Sequence, residues 1–161
     1  MDKLIADLDR QFSSLHQELR ELVAAISPEL LYRRPRGEPN SSPLLSIGEQ
    51  ILRSAAAVEQ TFGGITANLW DDPFQWTLPE TLSTPEIVSD YLDEVEATRR
   101  RGFDLFKSDN DLAREIMAPA GAIQLRPLLL DTMARARHYL GSARATLELV
   151  RAEGKEQSAK G

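Results

Sequence analysis

Few side chains in this sequence are of the types that bind metals or act as nucleophiles. Its 161 residues include two histidines, His16 and His138, and no cysteine. The lack of cysteine excludes disulfides, thiolate metal sites, iron–sulfur clusters and cysteine nucleophiles. Neither histidine belongs to an HxxxH, HxxH or Glu-x-x-His pair, the spacings that helical metal sites use. A histidine-rich zinc or nickel site within one chain is therefore excluded.

The charged residues do not form a pattern that indicates a nucleic-acid partner. Nineteen basic residues stand against 25 acidic ones, and the formal net charge of −6 opposes attraction to phosphate backbones. The acidic residues are scattered in a way typical of solvated helix faces. The basic run 99–101 is interpreted in the same way, as a solvated face near the end of a helix. We expect no nucleic-acid partner.

Length and composition indicate one soluble globular domain. The chain is about the size of a single domain, and its 42% hydrophobic and 27% charged residues are close to globular averages. No stretch approaches the roughly 20 continuous apolar residues that span a bilayer. The N-terminus carries acidic residues where a secretory signal has a basic start and an apolar run. We expect a cytoplasmic protein with no membrane association.

Apolar residues recur at steps of three and four along four long segments, which predicts an all-α four-helix bundle. The predicted helices cover residues 3–26, 46–69, 83–106 and 127–153. Ser46 and Glu49 have capping-box spacing at the start of the second helix, and Thr84-Pro85-Glu86 starts the third. Gly154 is predicted as the C-cap of the fourth helix. The bundle domain is then 1–154, with a flexible tail at 155–161.

The predicted connections are irregular, and no strand or β-hairpin is expected in any of them. Ser27-Pro28 starts a single helical turn that ends at Leu31, and a short turn is predicted at 112–116. The aromatic residues of the 70–83 connection, Trp70, Phe74 and Trp76, either cover a cleft or seal the end of the bundle. The Gly63-Gly64 pair marks either a close helix crossing or a weak point in the second helix.

Three segments resemble the DinB/YfiT-like family of four-helix bundles. SIGEQILRSAAAVEQTFGGI is similar to the family's second helix, and RPLLLDTMARARHYLGSARATLELVRAEG to its fourth. LPETLSTPEIVSDYLDEVEATRRRGFDLFKSDNDL is similar to its third helix and the approach to it. The resemblance implies a family that contains metal-dependent enzymes, including transferases that use low-molecular-weight thiols. It also implies that the chain forms a homodimer.

The resemblance places other residues where metal-binding family members keep three histidine ligands. The ligand place of the second helix falls on Arg53, and the two places of the fourth helix fall on Arg135 and Tyr139, with Gly141 on the family's glycine. His138 falls on the intervening histidine, which is not normally a ligand. Arginine and tyrosine cannot replace neutral imidazoles around a divalent cation. We therefore expect no metal cofactor, although the family would suggest zinc or nickel.

Helical periodicity places these residues independently of the family. On the fourth helix, Arg135 and Tyr139 lie on a stripe beside the apolar face, whereas His138 points further round, toward solvent. Arg53 lies beside the apolar stripe of the second helix, one turn after Glu49. An exposed Glu49–Arg53 pair is one interpretation of this position.

Two further interpretations of Arg53 and Arg135 remain open. Both guanidinium groups, with Tyr139 as a hydrogen-bond partner, would bind a carboxylate or phosphate in the remnant of the family's cleft. Alternatively, they pair with acidic residues of the first or third helix, such as Asp9 or Glu94, and replace the metal site by a salt-bridge network.

The first functional hypothesis is a protein without metal that binds a small anion or a partner through the cleft residues Arg53, Arg135, Tyr139, Glu49 and His138. The second is a metal-dependent enzyme of the DinB/YfiT-like class, a thiol-dependent transferase or a hydrolase. The third is a structural homodimer that binds no ligand.

Overall fold

Four long helices make up most of the chain. The computed structural model describes residues 2–161, and its helices are α1 (Lys3–Ala24), the short α2 (Pro28–Leu31), α3 (Ile47–Ala67), α4 (Pro85–Phe103) and α5 (Leu125–Ala159). Two 3-10 turns lie at Pro73–Gln75 and Asp109–Ala113, and a hairpin consists of β1 (Glu115–Ala118) and β2 (Gly121–Gln124). The predicted all-α bundle is confirmed.

The predicted helix starts agree with the capping hydrogen bonds. At α3, the Glu49 amide donates to Ser46 Oγ at 3.2 Å, and the Ser46 amide donates to a Glu49 carboxylate oxygen at 2.7 Å. At α4, the Ile87 amide donates to Thr84 Oγ1 at 3.3 Å, and Pro85 occupies the first turn. These bonds satisfy amides that have no partner within the helix.

The helices surround one core. α3 packs against α4 and α5, and α1 packs against the same two helices from the opposite side. Aromatic rings fill the centre, where the centroids of Phe12 and Phe62 lie 5.3 Å apart and those of Phe62 and Phe103 lie 5.4 Å apart. No helix in the part of the chain described here is long and apolar enough to cross a membrane.

Two predictions about the C-terminal third are wrong. Residues 115–124 form an antiparallel hairpin, with Glu115 opposite Gln124, where an irregular connection was expected. Four-residue strands are too short for their alternation to stand out in the sequence. In addition, α5 passes through Gly154 to Ala159, so residues 155–159 of the expected tail are helical. Good helix formers on both sides of Gly154 outweigh its low propensity.

The interpretation of the run 99–101 as a solvated face is wrong for Arg99. Its side chain is 2% exposed and donates to both carboxylate oxygens of Glu96 at 2.7 Å. It also donates to Asp9 and Ser13 of α1. These partners satisfy the guanidinium in the interior, which makes its burial tolerable.

The Gly63-Gly64 pair allows a close contact with the chain that follows α3. A Cβ atom on Gly64 would lie 2.5 Å from the Trp70 ring, well inside van der Waals contact. Asn68 ends the helix in a left-handed conformation with φ of 55°, which turns the chain back toward α3. The pair therefore belongs to the end of α3 and its connection, not to a crossing between two helices.

Candidate functional site

Arg53, Arg135 and Tyr139 line one pocket of about 80 Å³ between α3 and α5. We call it the arginine pocket. Helix geometry explains the convergence, since Arg135 and Tyr139 are one turn apart on α5 and face Arg53 across the contact between α3 and α5. Its lining residues are Arg53, Ala56, Ala57, Gln60, Asp72, Phe74, Arg135 and Tyr139.

Arg53 is held by aromatic rings and not by an acidic partner. Its guanidinium carbon lies 4.0 Å from the centroid of the Phe74 ring and 5.9 Å from that of Tyr139. The buried Nε atom has no hydrogen-bond partner within residues 2–161, and no carboxylate in that range forms an ion pair with the side chain. Stacking on an aromatic face contributes about 0.5–2 kcal/mol, but it leaves the in-plane N–H groups free to donate.

The acidic partners expected from the sequence lie elsewhere. Glu49 binds the Arg34 guanidinium at 2.6 Å as well as capping α3, so the predicted Glu49–Arg53 pair is wrong. Burial raises the pKa of Glu49, but the hydrogen bonds from the Ser46 amide and Arg34 outweigh it and leave the pKa below its usual value. Glu49 does not line the arginine pocket.

Arg135 is less constrained than Arg53. Its Nε donates to Asp131 at 3.1 Å, one turn earlier on α5, and both side chains are largely exposed. The terminal nitrogens make no hydrogen bond within the described residues 2–161. Asp9 pairs with Arg99, so the predicted network of Arg53 and Arg135 with Asp9 does not form.

The 3-10 turn after α3 closes one side of the arginine pocket. Asp72 Oδ1 accepts the Phe74 amide at 3.0 Å, which caps the turn and places the Phe74 ring over Arg53. Of the three aromatics in this connection, Phe74 covers the cleft, Trp70 packs on α3, and Trp76 is 61% exposed. The interpretation that these aromatics cover a cleft therefore applies to Phe74.

Sequence reasoning missed Gln60 and Asp72 as lining residues. Gln60 lies seven residues after Arg53, hence on the same face of α3, and its Nε2 donates to the Trp70 carbonyl at 2.8 Å. That spacing is a signal that would have found it. Asp72 precedes a proline, which predicts a turn but not the direction in which the turn folds.

His138 lies outside the arginine pocket. It is exposed, as predicted, and its ring is 5.3 Å from that of Tyr139. It lines a neighbouring groove of about 360 Å³ between α5 and the chain before α3, and we call this the apolar groove. The groove is lined by Pro35, Leu44, Leu45, Gln50, His138, Tyr139, Ser142, Ala145, Thr146 and Leu149.

The donor set of the arginine pocket does not fit a metal ion. Guanidinium groups stay protonated and have no acceptor lone pair, so Arg53 and Arg135 repel a cation. Within residues 2–161, no group of three or more histidine, aspartate or glutamate side chains is placed to hold a metal. His16 lies on the other side of the bundle, 3.3 Å from Asp93, and burial lowers its pKa.

Comparison with known proteins is informative at the level of structure. No protein-family model and no curated protein matches the sequence. A conserved protein from Enterococcus faecalis aligns with a TM-score of 0.69 over 94% of this chain and 99% of its own, at 17% identity. A proposed member of the DinB family from Exiguobacterium sibiricum aligns with a TM-score of 0.64 over 93% of each chain, at 20% identity.

The chain has a DinB-like fold. The resemblance seen in the helical segments is thereby confirmed in three dimensions, over almost the whole chain. At these identities the likeness extends to the fold alone, because one fold serves many activities. The activity, the metal content and the oligomeric state of this DinB-like chain stay predictions.

Proposed function

We propose that this DinB-like chain binds a small anionic ligand, through a carboxylate or phosphate group, in the arginine pocket. The observation that carries the proposal is Arg53. Its guanidinium lies in a pocket with no acidic partner within residues 2–161 and with a buried Nε that lacks an acceptor. A buried charged donor without an acceptor is costly, and a bound anion removes that cost.

The neighbouring side chains suit an anion. Arg135 contributes a second guanidinium, and Tyr139 lies on the same wall. Charge-assisted hydrogen bonds from two guanidinium groups are stronger than neutral ones and match the planar geometry of a carboxylate. Asp72 is the acidic residue in the lining, and Asp131 pairs with Arg135, so Arg53 is the positive charge without an ion pair within residues 2–161.

A metal-dependent transferase or hydrolase is the second candidate, and the same residues argue against it. Such chemistry needs neutral or anionic ligands around the ion, and the places that the resemblance assigns to them hold Arg53, Arg135 and Tyr139. The third candidate, a structural homodimer, gives no account of an unpaired arginine inside a pocket. The homodimer and the cytoplasmic location stay predictions.

A thermal-shift series with acetate, benzoate and inorganic phosphate, at constant ionic strength, tests the proposal. A ligand at 100 times its Kd stabilises the native state by about 2.7 kcal/mol. We expect an increase in Tm for the wild type and little or none for Arg53→Gln, whose side chain is shorter, stays polar and carries no charge. Arg126→Gln is the matched control, because Arg126 is an exposed arginine of α5 outside the pocket.

The controls separate specific binding from general salt effects. Arg126→Gln should respond to each anion as the wild type does. If Arg53→Gln is stabilised as much as the wild type by every anion, binding does not involve the arginine pocket and the proposal is wrong. If no anion stabilises the wild type more than chloride does, the proposal is wrong as well.

A further inference from the structure

The apolar groove continues from the arginine pocket, and Tyr139 lines both. Two of its leucines are exposed, Leu44 at 45% and Leu149 at 53%. Pro35, Leu45 and Ala145 add further apolar surface to its walls. Apolar walls beside a charged pocket could bind an amphipathic molecule, with its apolar part in the groove and its charged part in the pocket.

The outer wall of the groove is fixed to the bundle. The Arg36 amide donates to Glu153 at 2.8 Å, so the loop before α3 is tied to the last turns of α5. Arg34 ties the same loop to Glu49 at 2.6 Å. The groove is therefore present before any ligand binds.

The volumes of the two cavities suit two different parts of one ligand, an anionic head and an apolar tail. The arginine pocket, at about 80 Å³, has room for a carboxylate but not for a whole metabolite, since ligand pockets usually span roughly 300–1,000 Å³. The apolar groove, at about 360 Å³, falls within that range. Because Tyr139 lines both cavities, a ligand held by Arg53 has room to extend past Tyr139 into the groove.

Gln50, at the floor of the groove, has a side-chain oxygen that lacks a hydrogen-bond donor within residues 2–161. It is 5% exposed, and its Nε2 donates to the Leu45 carbonyl at 3.1 Å and to Thr146 Oγ1 at 2.7 Å. Its Oε1 is buried without a donor within the described part of the chain. Gln50 precedes Arg53 by three residues on α3, about 4.5 Å of rise, so the two side chains extend from adjacent turns of the same helix.

We propose that the ligand is an N-acyl amino acid, with its carboxylate at Arg53, its amide N–H directed to Gln50 and its acyl chain in the apolar groove. The inference rests on the proposed anion site and deepens it by naming the ligand class. The amide N–H supplies the donor that Gln50 Oε1 lacks, with a small shift of the side-chain amide. The acyl chain covers Leu44 and Leu149, which are otherwise in contact with water.

Isothermal titration with four probes tests each part of this ligand. N-hexanoylglycine carries all three features, N-acetylglycine shortens the chain, N-hexanoylsarcosine replaces the N–H by a methyl group, and N-hexanoylglycine methyl ester removes the charge. Burial of a methylene contributes up to about fourfold in affinity, so we expect N-hexanoylglycine to bind at least tenfold more tightly than N-acetylglycine. The sarcosine analogue should bind about tenfold more weakly, and the ester should not bind measurably.

Protein variants assign these effects to residues. Leu149→Asp should reduce the affinity for N-hexanoylglycine at least tenfold more than it reduces the affinity for N-acetylglycine. Leu130→Asp is the matched control, because Leu130 is a similarly exposed leucine of α5, 54% against 53%, and lies outside both cavities. Gln50→Met should remove the preference for N-hexanoylglycine over its sarcosine analogue, with circular dichroism to confirm folding.

The outcomes separate this inference from the proposed function. If N-acetylglycine and N-hexanoylglycine bind equally well and both need Arg53, the anion site stands and the N-acyl ligand is wrong. If the sarcosine analogue binds as tightly as its parent, the role of Gln50, and with it the amide ligand, is overturned. If Arg53→Gln binds N-hexanoylglycine as the wild type does, the proposed function fails together with the inference.

Discussion

Arg53, Arg99 and Arg135 carry the same guanidinium group in three different surroundings. Arg99 is buried among acidic partners, Arg135 is exposed beside Asp131, and Arg53 is stacked on Phe74 without an acidic partner within residues 2–161. The first two have partners that balance their charge locally. Arg53 does not, and for this reason a ligand is proposed there.

The buried ion pairs of Arg99 should be sensitive to the loss of one partner. We expect Arg99→Met to lower the free energy of unfolding by about 3 kcal/mol. The substitution removes one ion-pair partner of the Glu96 carboxylate, which is 7% exposed, and leaves it, among the described residues, paired with Arg100 alone. Urea denaturation measures the effect. Arg101→Met, at an exposed site of α4, should change the free energy by less than about 0.5 kcal/mol. Equal effects of the two variants would contradict the buried network.

Glu18 should make stability depend on pH in the acidic range. Hydrogen bonds from Arg137 and Arg144 of α5 lower its pKa from 4.5 to about 2. Because the folded state holds the ionised form, the contribution is complete above about pH 4.5 and is lost as the pH falls toward 2. Water screens these ion pairs, since the Glu18 side chain is 24% exposed. We therefore expect the ionised Glu18 to contribute about 1 kcal/mol to the free energy of unfolding.

Glu18→Gln isolates this contribution when unfolding is measured from pH 6 to pH 2.5. The difference in unfolding free energy between the wild type and the variant should shrink as the pH falls. Glu148→Gln is the control, because Glu148 is 77% exposed and pairs with Arg151 at 3.5 Å on the surface. A difference that stays constant down to pH 2.5 would mean that the Glu18 contacts do not favour its ionised form.

At the scale of elements, the length of α5 matters for the candidate ligand site. The turns beyond Gly154 extend a helix that already lines the arginine pocket, and Glu153 holds the loop that walls the apolar groove. The sequence predicted a helix end at Gly154, where the structure has a helix interior. A substitution of Gly154 distinguishes a helix end from a helix interior at this position.

We expect Gly154→Ala to raise the free energy of unfolding by about 0.5–1 kcal/mol. Gly154 does not have a positive φ, and an added Cβ meets no atom within 4 Å. A left-handed C-cap at this position would give the opposite sign. Gly121→Ala is the contrasting variant, because its φ of 120° makes any side chain strained, and it should lower stability by about 1–3 kcal/mol. Thermal and urea unfolding measure both.

At the scale of the whole molecule, the bundle places the candidate site at the contact between two long helices. The DinB-like fold brings α3 and α5 together, with hydrogen bonds between them from Gln50 to Thr61 of α3. The family's ligand places in this pocket hold Arg53, Arg135 and Tyr139, which do not suit the metal chemistry that the resemblance implies. One fold can serve different activities when its lining residues change, which is the basis of the anion-binding proposal.

Metal analysis of the intact protein tests whether the chain binds zinc or nickel. We expect chain purified without a histidine tag to contain much less than one equivalent of zinc or nickel, and EDTA to leave Tm unchanged. As a matched sample, protein incubated with zinc or nickel and then desalted should also contain much less than one equivalent of metal, and EDTA should again leave its Tm unchanged. Stoichiometric metal, with a Tm that falls on chelation, would favour the enzyme hypothesis over anion binding.

The periodic sequence determined the four helices, the α3 and α4 caps and the stripe that holds Arg135 and Tyr139. These depend on residues a few positions apart, whose relative places the helix geometry sets. The tertiary structure decided the contacts of three charged side chains, Arg53, Arg99 and Glu49. It also decided the position of Phe74 over Arg53 and the pairing of the short hairpin. They join segments distant along the chain, or strands too short to show a period. Only packing decides which charges become buried, paired or left free in a pocket.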